Sequence, residues 1–246
     1  MKSSLLTTLV ALALAGCSGA QTATDTEVSK SDFHYRLARN YYNDRNIAMT
    51  QRELHESLRL DPANAEALHL RGFVLMGLND LPGAAASLSE ALRVKPDLQE
   101  ARNNLGTVLM AQGRWAEAVE IIKPLLEDPL YPTPAFAHGN VGWAYFQAGD
   151  LPNARKHLDM SVFLNPRFCL GWNFLGLLHM QTKNPRAARE AFEKAVKVCP
   201  KYAEPWYYLG VMHQQEGDGP GADAAFAKCA EAGEDTPIGK RCKARR

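Results

Sequence analysis

Hydrophobic and polar positions divide this chain into stretches of different character. An apolar run from Leu5 to Ala15 follows Lys2 and holds 11 residues, well short of the roughly 20 that a helix needs to cross a bilayer. It has the build of a signal peptide over residues 1–16, removed on maturation. Residues 17–31 are mostly Ser, Thr, Ala and Gln, which leaves little to bury and predicts a flexible tether. A tether of this length has an r.m.s. span of about 20 Å. From residue 32 to residue 236 apolar positions recur in paired helical segments, and the pattern returns with a fixed period.

Small residues keep step with that period: Gly72 with Ala84, Gly106 with Ala118, Gly142 with Ala154, Gly176 with Ala188, Gly210 with Ala222, each pair 12 apart. On a helix-turn-helix unit this spacing predicts one small residue on each helix where the two axes cross. Leu105, Val141, Leu175 and Leu209 precede their glycines, and Trp172 and Trp206 stand four residues ahead of theirs, as fillers of the inter-helix layer. Pro62, Pro96, Pro166 and Pro200 close the second helices, with Asn64 and Asp97 available to cap the next. The pattern is that of the tetratricopeptide repeat, whose period is about 34 residues. Six copies are predicted, at about 31–64, 65–98, 99–134, 135–168, 169–202 and 203–236, the first lacking its glycine. The expected fold is all-α, a right-handed superhelical solenoid of stacked helix pairs.

Between the third and fourth copies the glycine spacing stretches from 34 to 36, across Leu125 to Pro134. Pro129, Pro132 and Pro134 cannot continue a helix, since each lacks a donor and fixes φ. The superhelix is expected to bend or open there, unless the segment is a tolerated surface insertion.

Leu14-Ala15-Gly16-Cys17 ends the first apolar run as a lipoprotein processing site would, with an ordinary secretory signal as the alternative. Cys17 is the expected lipidation site, and two or three acyl chains there hold a protein to a bilayer far better than one. Position 18 is Ser; likeness to Gram-negative lipoproteins, in which Asp there commonly directs inner-membrane retention, implies the periplasmic leaflet of the outer membrane. Removing residues 1–16 leaves 27 basic and 27 acidic side chains. That balance argues against nucleic acid as a partner.

The lipidation site, the short polar tether, six repeats and the proline-rich joint, running into Asn140-Val141-Gly142-Trp143 and Gln147-Ala148-Gly149-Asp150, resemble the pilotin lipoproteins of type IV pilus systems, the PilF/PilW/Tgl family. The resemblance covers essentially the whole mature chain. It implies a non-catalytic outer-membrane lipoprotein that promotes multimerisation of the secretin, the ring-shaped channel through which the pilus emerges. A PilQ-like secretin protomer is then the expected partner.

The four cysteines of the C-terminal third are not explained by that resemblance. Cys169, Cys199, Cys229 and Cys242 are even in number once Cys17 is acylated, as suits an oxidising compartment. Cys169 opens one helix of copy five and Cys199 closes the other, and these ends neighbour each other in an antiparallel pair. Cys229 and Cys242 are separated by Gly233 and Pro237, which let the chain fold back. Of the three possible pairings, Cys169–Cys199 with Cys229–Cys242 is favoured; buried free thiols are the alternative. No two of them share a close ligand spacing for zinc, so no metal or cofactor is expected beyond the acyl lipid.

The seven histidines are scattered, His55-Glu56 lacks the second histidine of a zinc-protease helix, and no serine sits in a nucleophile elbow. An enzyme with a small-molecule substrate is not expected. Gly217 to Gly221 is glycine-rich but falls in the turn between two helices, and the basic residues of 237–246 read as a solvated end cap with lipid headgroups as an alternative contact. What remains is the concave face. The stripe expected to face inward collects Tyr42, Phe73, Met76, Met110, Trp143, Phe146, Phe174, Leu177, Met180, Tyr207 and Val211, with Asn103, Asn140 and Asn173 between. It predicts an apolar groove with amides, without the Lys and Arg of a carboxylate clamp, suited to an amphipathic helix or an extended apolar segment. Part of the stripe is alternatively core between repeats. Two other roles compete with secretin assembly: a scaffold in outer-membrane protein insertion or envelope maintenance, and, more distantly, a peptidoglycan enzyme or its regulator.

Overall fold

The structure, a computed structural model, describes residues 24–245; Cys17 lies outside the described residues. Six antiparallel helix pairs follow one another: α1 (Asp25–Asn43) with α2 (Ile47–Leu60), α3 (Ala65–Gly77) with α4 (Leu81–Val94), and α5 (Gln99–Ala111) with α6 (Trp115–Glu127). Then come α7 (Pro134–Gln147) with α8 (Leu151–Leu164), α9 (Cys169–Gln181) with α10 (Pro185–Val198), and α11 (Ala203–Gln215) with α12 (Gly219–Ala232). A short helix, α13 (Pro237–Lys243), closes the end. Each helix packs on its chain neighbours. Odd-numbered helices also touch the next odd-numbered helix, from α1 on α3 through α11 on α13, whereas no even-numbered helix reaches the next even one. The first helices of the pairs therefore lie closer together, and the stack curves with them on its inner side.

The small-residue register has a sharper meaning than helix crossing alone. A Cβ added at Gly72, Gly142 or Gly210 would meet Leu88, Leu158 or Phe226 at 2.6 to 2.7 Å, and at Gly106 and Gly176 it would run into Ile122 and Phe192. Each glycine thus makes room for a large side chain on the second helix of its pair, one turn beyond the alanine that is buried beside it. In the first pair Ala38 and Leu54 hold these places. The six fillers, Leu54, Leu88, Ile122, Leu158, Phe192 and Phe226, are all at most 1 % exposed. Burying a side chain of this size contributes about 1.5–3 kcal/mol.

The turn inside each pair places one residue in the left-handed region, at Arg45, Asn79, Gly113, Gly149, Lys183 and Gly217. The next helix is then capped by the Asn or Asp one residue later in five of the six turns, Asn46, Asp80, Asp150, Asn184 and Asp218, each accepting from a backbone N–H three residues on. Turns between pairs gather at the opposite edge of the solenoid. There the Trp172 and Trp206 indoles donate to the carbonyls of Pro166 and Pro200, at 2.9 and 3.0 Å. These tryptophans staple the turn as well as filling the layer beside it.

Four expectations need correction. The tether does not run to Ser31: Thr24 and Glu27 form a capping box and α1 starts at Asp25, some six residues ahead of the matching start in later repeats. Asn64 caps α3, but Asp97 does not cap α5, whose N-cap residue is Leu98. The joint does not open the stack, because Tyr131 drops into a core that runs unbroken from Leu68 to Ala144. Its prolines still serve as stops, and Pro134 opens α7. The basic tail is not simply solvated: α13 buries Gly239 and Cys242 and packs Ile238 against the last pair.

Candidate functional site: the inner face

Odd-numbered helices build the inner face, and the expected stripe falls into three parts along it. At its N-terminal end Tyr42 meets Phe73 edge-to-face at 5.7 Å. With Met76 they line a cavity of about 360 Å³, to which Ile47 and Leu78 also contribute. The stripe misses those two because they sit at helix-turn junctions, where helical periodicity no longer indicates direction. Phe73 is 39 % exposed and can be touched by a partner.

In the centre, Trp143 stacks on Phe174 with ring centroids 4.3 Å apart and on Phe146 at 5.2 Å. Phe174 and Met110 are buried, so both belong to the packing between helices and are withdrawn from the open groove. Trp143, Phe146, Leu177 and Met180 are half-buried and keep a free side. The amides bond to neighbours: Asn140 donates to the Asn103 side chain at 3.1 Å, tying α7 to α5. Asn173 is fully buried and donates to the Tyr202 hydroxyl and the Glu204 carboxylate, at 3.0 and 3.1 Å. It therefore joins α9 to α11 from within the core, and its own carbonyl oxygen has no protein partner. Tyr202 donates to Glu204 at 2.8 Å, and burial with that neighbouring carboxylate holds the phenol well above its usual range.

At the C-terminal end the face is partly covered, and Tyr207 and Val211 are half-buried. Tyr207 and Val211 pack in the cluster that holds Phe226, Cys229, Cys242 and Ile238. Arg241 and Arg245 lie over the Tyr207 ring at 5.6 and 5.5 Å. Helix α13 takes the place that the first helix of a seventh repeat would occupy, so these two residues line a cap rather than an open groove. The cysteines hold this region: Cys169 is bonded to Cys199 between the start of α9 and the end of α10, and Cys229 to Cys242 between α12 and α13, with Cα atoms 5.9 and 6.0 Å apart.

From α7 to α11 the face is electrically quiet, whereas α1 brings exposed Arg36 and Arg39 to its N-terminal end. Helices α7, α9 and α11 contain no Lys or Arg, and Glu204, their one acid, is engaged by Tyr202 and Asn173. Arg71 on α3 donates to Ser87 on α4 at 2.7 Å, and Arg102 on α5 to the Pro96 carbonyl, so both are held by partners off the inner face. The Nδ1 atoms of His138 and His157 lie 3.0 Å apart. Burial lowers the pKa of both, and for His157 the neighbouring His138 and Lys156 add to the effect, bringing it to about 4. Both rings are neutral near pH 7, so the pair shares a hydrogen bond rather than a charge. Two other cavities lie away from this face, one of about 390 Å³ between α2 and α3 and one of about 690 Å³ among α10, α11 and α12. Among the described residues no three His, Cys, Asp or Glu side chains come together as a metal site.

Family models described as tetratricopeptide repeat match residues 75–129, 103–167 and 169–202, and the fold is a tetratricopeptide-repeat solenoid. It is similar to PilW, a widely conserved type IV pilus biogenesis factor, with 24 % identity over 89 % of this chain and 99 % of that one and a TM-score of 0.76. It is similar to PilF of Pseudomonas aeruginosa, at 18 % identity over 90 % of this chain and 100 % of the other, with a TM-score of 0.72. A third likeness, to MamA of Desulfovibrio magneticus RS-1, has a TM-score of 0.62 and covers 69 % of this chain and 94 % of that one, at 21 % identity. At these identities the likeness is one of fold.

Proposed function

We propose that this protein is a pilotin: a non-catalytic lipoprotein, acylated at Cys17 and facing the periplasm from the outer membrane, that captures secretin protomers of a type IV pilus and promotes their multimerisation. The reading is carried by the apolar centre of the inner face, where α7 and α9 hold no Asp, Glu, Lys or Arg and Trp143 and Phe146 offer contact area, continued toward the N-terminal end by exposed Phe73. Such a surface favours an apolar client segment, because a charged one would lose hydration without a partner to replace it. Support comes from the likeness in fold, over about nine tenths of this chain, to PilW, a type IV pilus biogenesis factor, and to PilF, and from the lipoprotein-like sequence ending at Cys17. Anchoring raises the effective concentration of captured protomers, which is how a binder without chemistry speeds ring assembly.

Co-purification with the secretin from membranes tests this. Phe73→Asp and Trp143→Gln should both recover much less secretin while circular dichroism stays that of the parent. Undiminished recovery by both folded variants would reject the inner face as the capture site.

A further inference from the structure

The turns between repeats share one edge of the solenoid, and α1 starts there: Ser31 on α1 bonds to Ser57 near the end of α2 and accepts from Asn64 in the first of these turns. The chain from Cys17 to Asp25 therefore joins the body at this edge. Eight residues reach at most about 26–29 Å when fully extended. An acyl group at Cys17 holds this edge, rather than the opposite one, close to the bilayer.

From the end of the third repeat to the fifth the same edge is unusually apolar. Leu130, in the turn before α7, is 85 % exposed, and Phe163, near the end of α8, is 78 % exposed. Phe136, Met160 and Leu164 are exposed beside them. The Phe136 ring lies 4.6 Å from Phe168 in the next turn, which links the two turns into one surface. Arg167, Lys197 and Lys201 are exposed around it, and Lys194 sits 4.3 Å over the half-buried Trp172 ring. The turns 165–168 and 199–202 hold no acid; in the turn before them Asp128 is bonded to Gln99 and to the Leu130 N–H, and Glu127 stands exposed at the end of α6. Apolar tips, amphipathic tryptophan and flanking cations are the composition of a membrane-interface surface. No described helix is long and apolar enough to cross a membrane, so the contact is peripheral.

We infer that this edge is a lipid-contact surface that sets the solenoid edge-on on an anionic phospholipid bilayer, with Leu130 and Phe163 entering the headgroup region. The orientation rests on the acyl anchor at Cys17, whereas the surface itself does not. It leaves the inner face open sideways to a client beside the membrane.

Flotation with phosphatidylethanolamine–phosphatidylglycerol vesicles at low salt tests the surface in the Cys17→Ser protein, which carries no acyl chain. That protein should float, less so at high salt. Leu130→Glu with Phe163→Glu should lower its partitioning about tenfold or more while thermal unfolding is unchanged, as suits two exposed positions. A Cys17→Ser protein that stays in solution would overturn the inference. So would a double variant that floats like its parent but no longer supports secretin multimers, since the edge would then be a protein contact. Mass spectrometry of the protein from cells reads Cys17 acylation separately: an unacylated Cys17 ends the anchor reading, while flotation of the Cys17→Ser protein still supports the surface.

Discussion

In the first repeat Leu54 fills the space beside Ala38, and the pair is tied by polar contacts; in the sixth Phe226 fills the space beside Gly210, and a disulfide begins three residues later. The same contrast runs through the two halves of the molecule. Repeats one to three use Leu, Leu and Ile as fillers and have no disulfide, and Ser31, Ser57 and Asn64 bond across the first pair and its following turn. Such hydrogen bonds contribute about 1 kcal/mol each. Repeats four to six use Leu, Phe and Phe and carry both disulfides and the α13 cap. One repeat plan is thus held by weak, exchangeable contacts at one end and by aromatic volume and covalent links at the other. In a solenoid, whose stability is a sum of local and neighbour terms, the N-terminal half should open first.

The largest break in that comparison should come from Phe192→Ala. It empties the space beside Gly176 and is expected to cost about 3–5 kcal/mol, against somewhat less for Leu54→Ala at the matching place in the first repeat. Urea unfolding of the two variants measures the difference. Next is Cys199→Ser paired with Cys169→Ser, expected to cost about 3–4 kcal/mol through the lost loop constraint. Amide exchange should then show repeats five and six opening no later than repeats one and two. A variant that still opens only from the N-terminus would remove the disulfide from the explanation.

The smallest effect concerns pH. His157 is held neutral in the fold, first by burial and then by His138 and Lys156, with its pKa lowered from 6.5 to about 4. A depressed histidine pKa means that the unfolded chain binds the proton more readily. Stability from this group is therefore full above about pH 6.5 and is lost as pH falls toward 4. The melting temperature of His157→Gln should fall less steeply over that window than that of the parent; parallel curves would mean that the pair does not govern acid sensitivity.

The fold was legible in the sequence because close helix approach leaves a fixed mark: glycine and alanine 12 apart, five times over. The residue each glycine accommodates was not, since Leu88 or Phe192 lies on the partner helix and only the inter-helix geometry brings it there. The start of α1 could have been read from Thr24-Asp25-Thr26-Glu27, a capping-box pattern hidden in a polar stretch. For the site, periodicity gave the direction of each side chain but not what lies over it. Phe174 and Asn173 point inward from their own helix, yet neighbouring helices bury them. Tyr207 and Val211 are half-buried in the cluster that α13 joins, a helix whose seven residues are too few for a periodic signal.

The central claim, that the apolar inner face captures the secretin, is tested most directly by the amount of heat-stable secretin multimer in cells carrying Trp143→Gln. The ring of Trp143 has a free side on that face, while its stacking partner Phe174 stays in the core. Multimers should fall strongly while the variant remains at parental abundance and with parental thermal unfolding. Normal multimers beside an equally abundant, folded Trp143→Gln protein would contradict the claim.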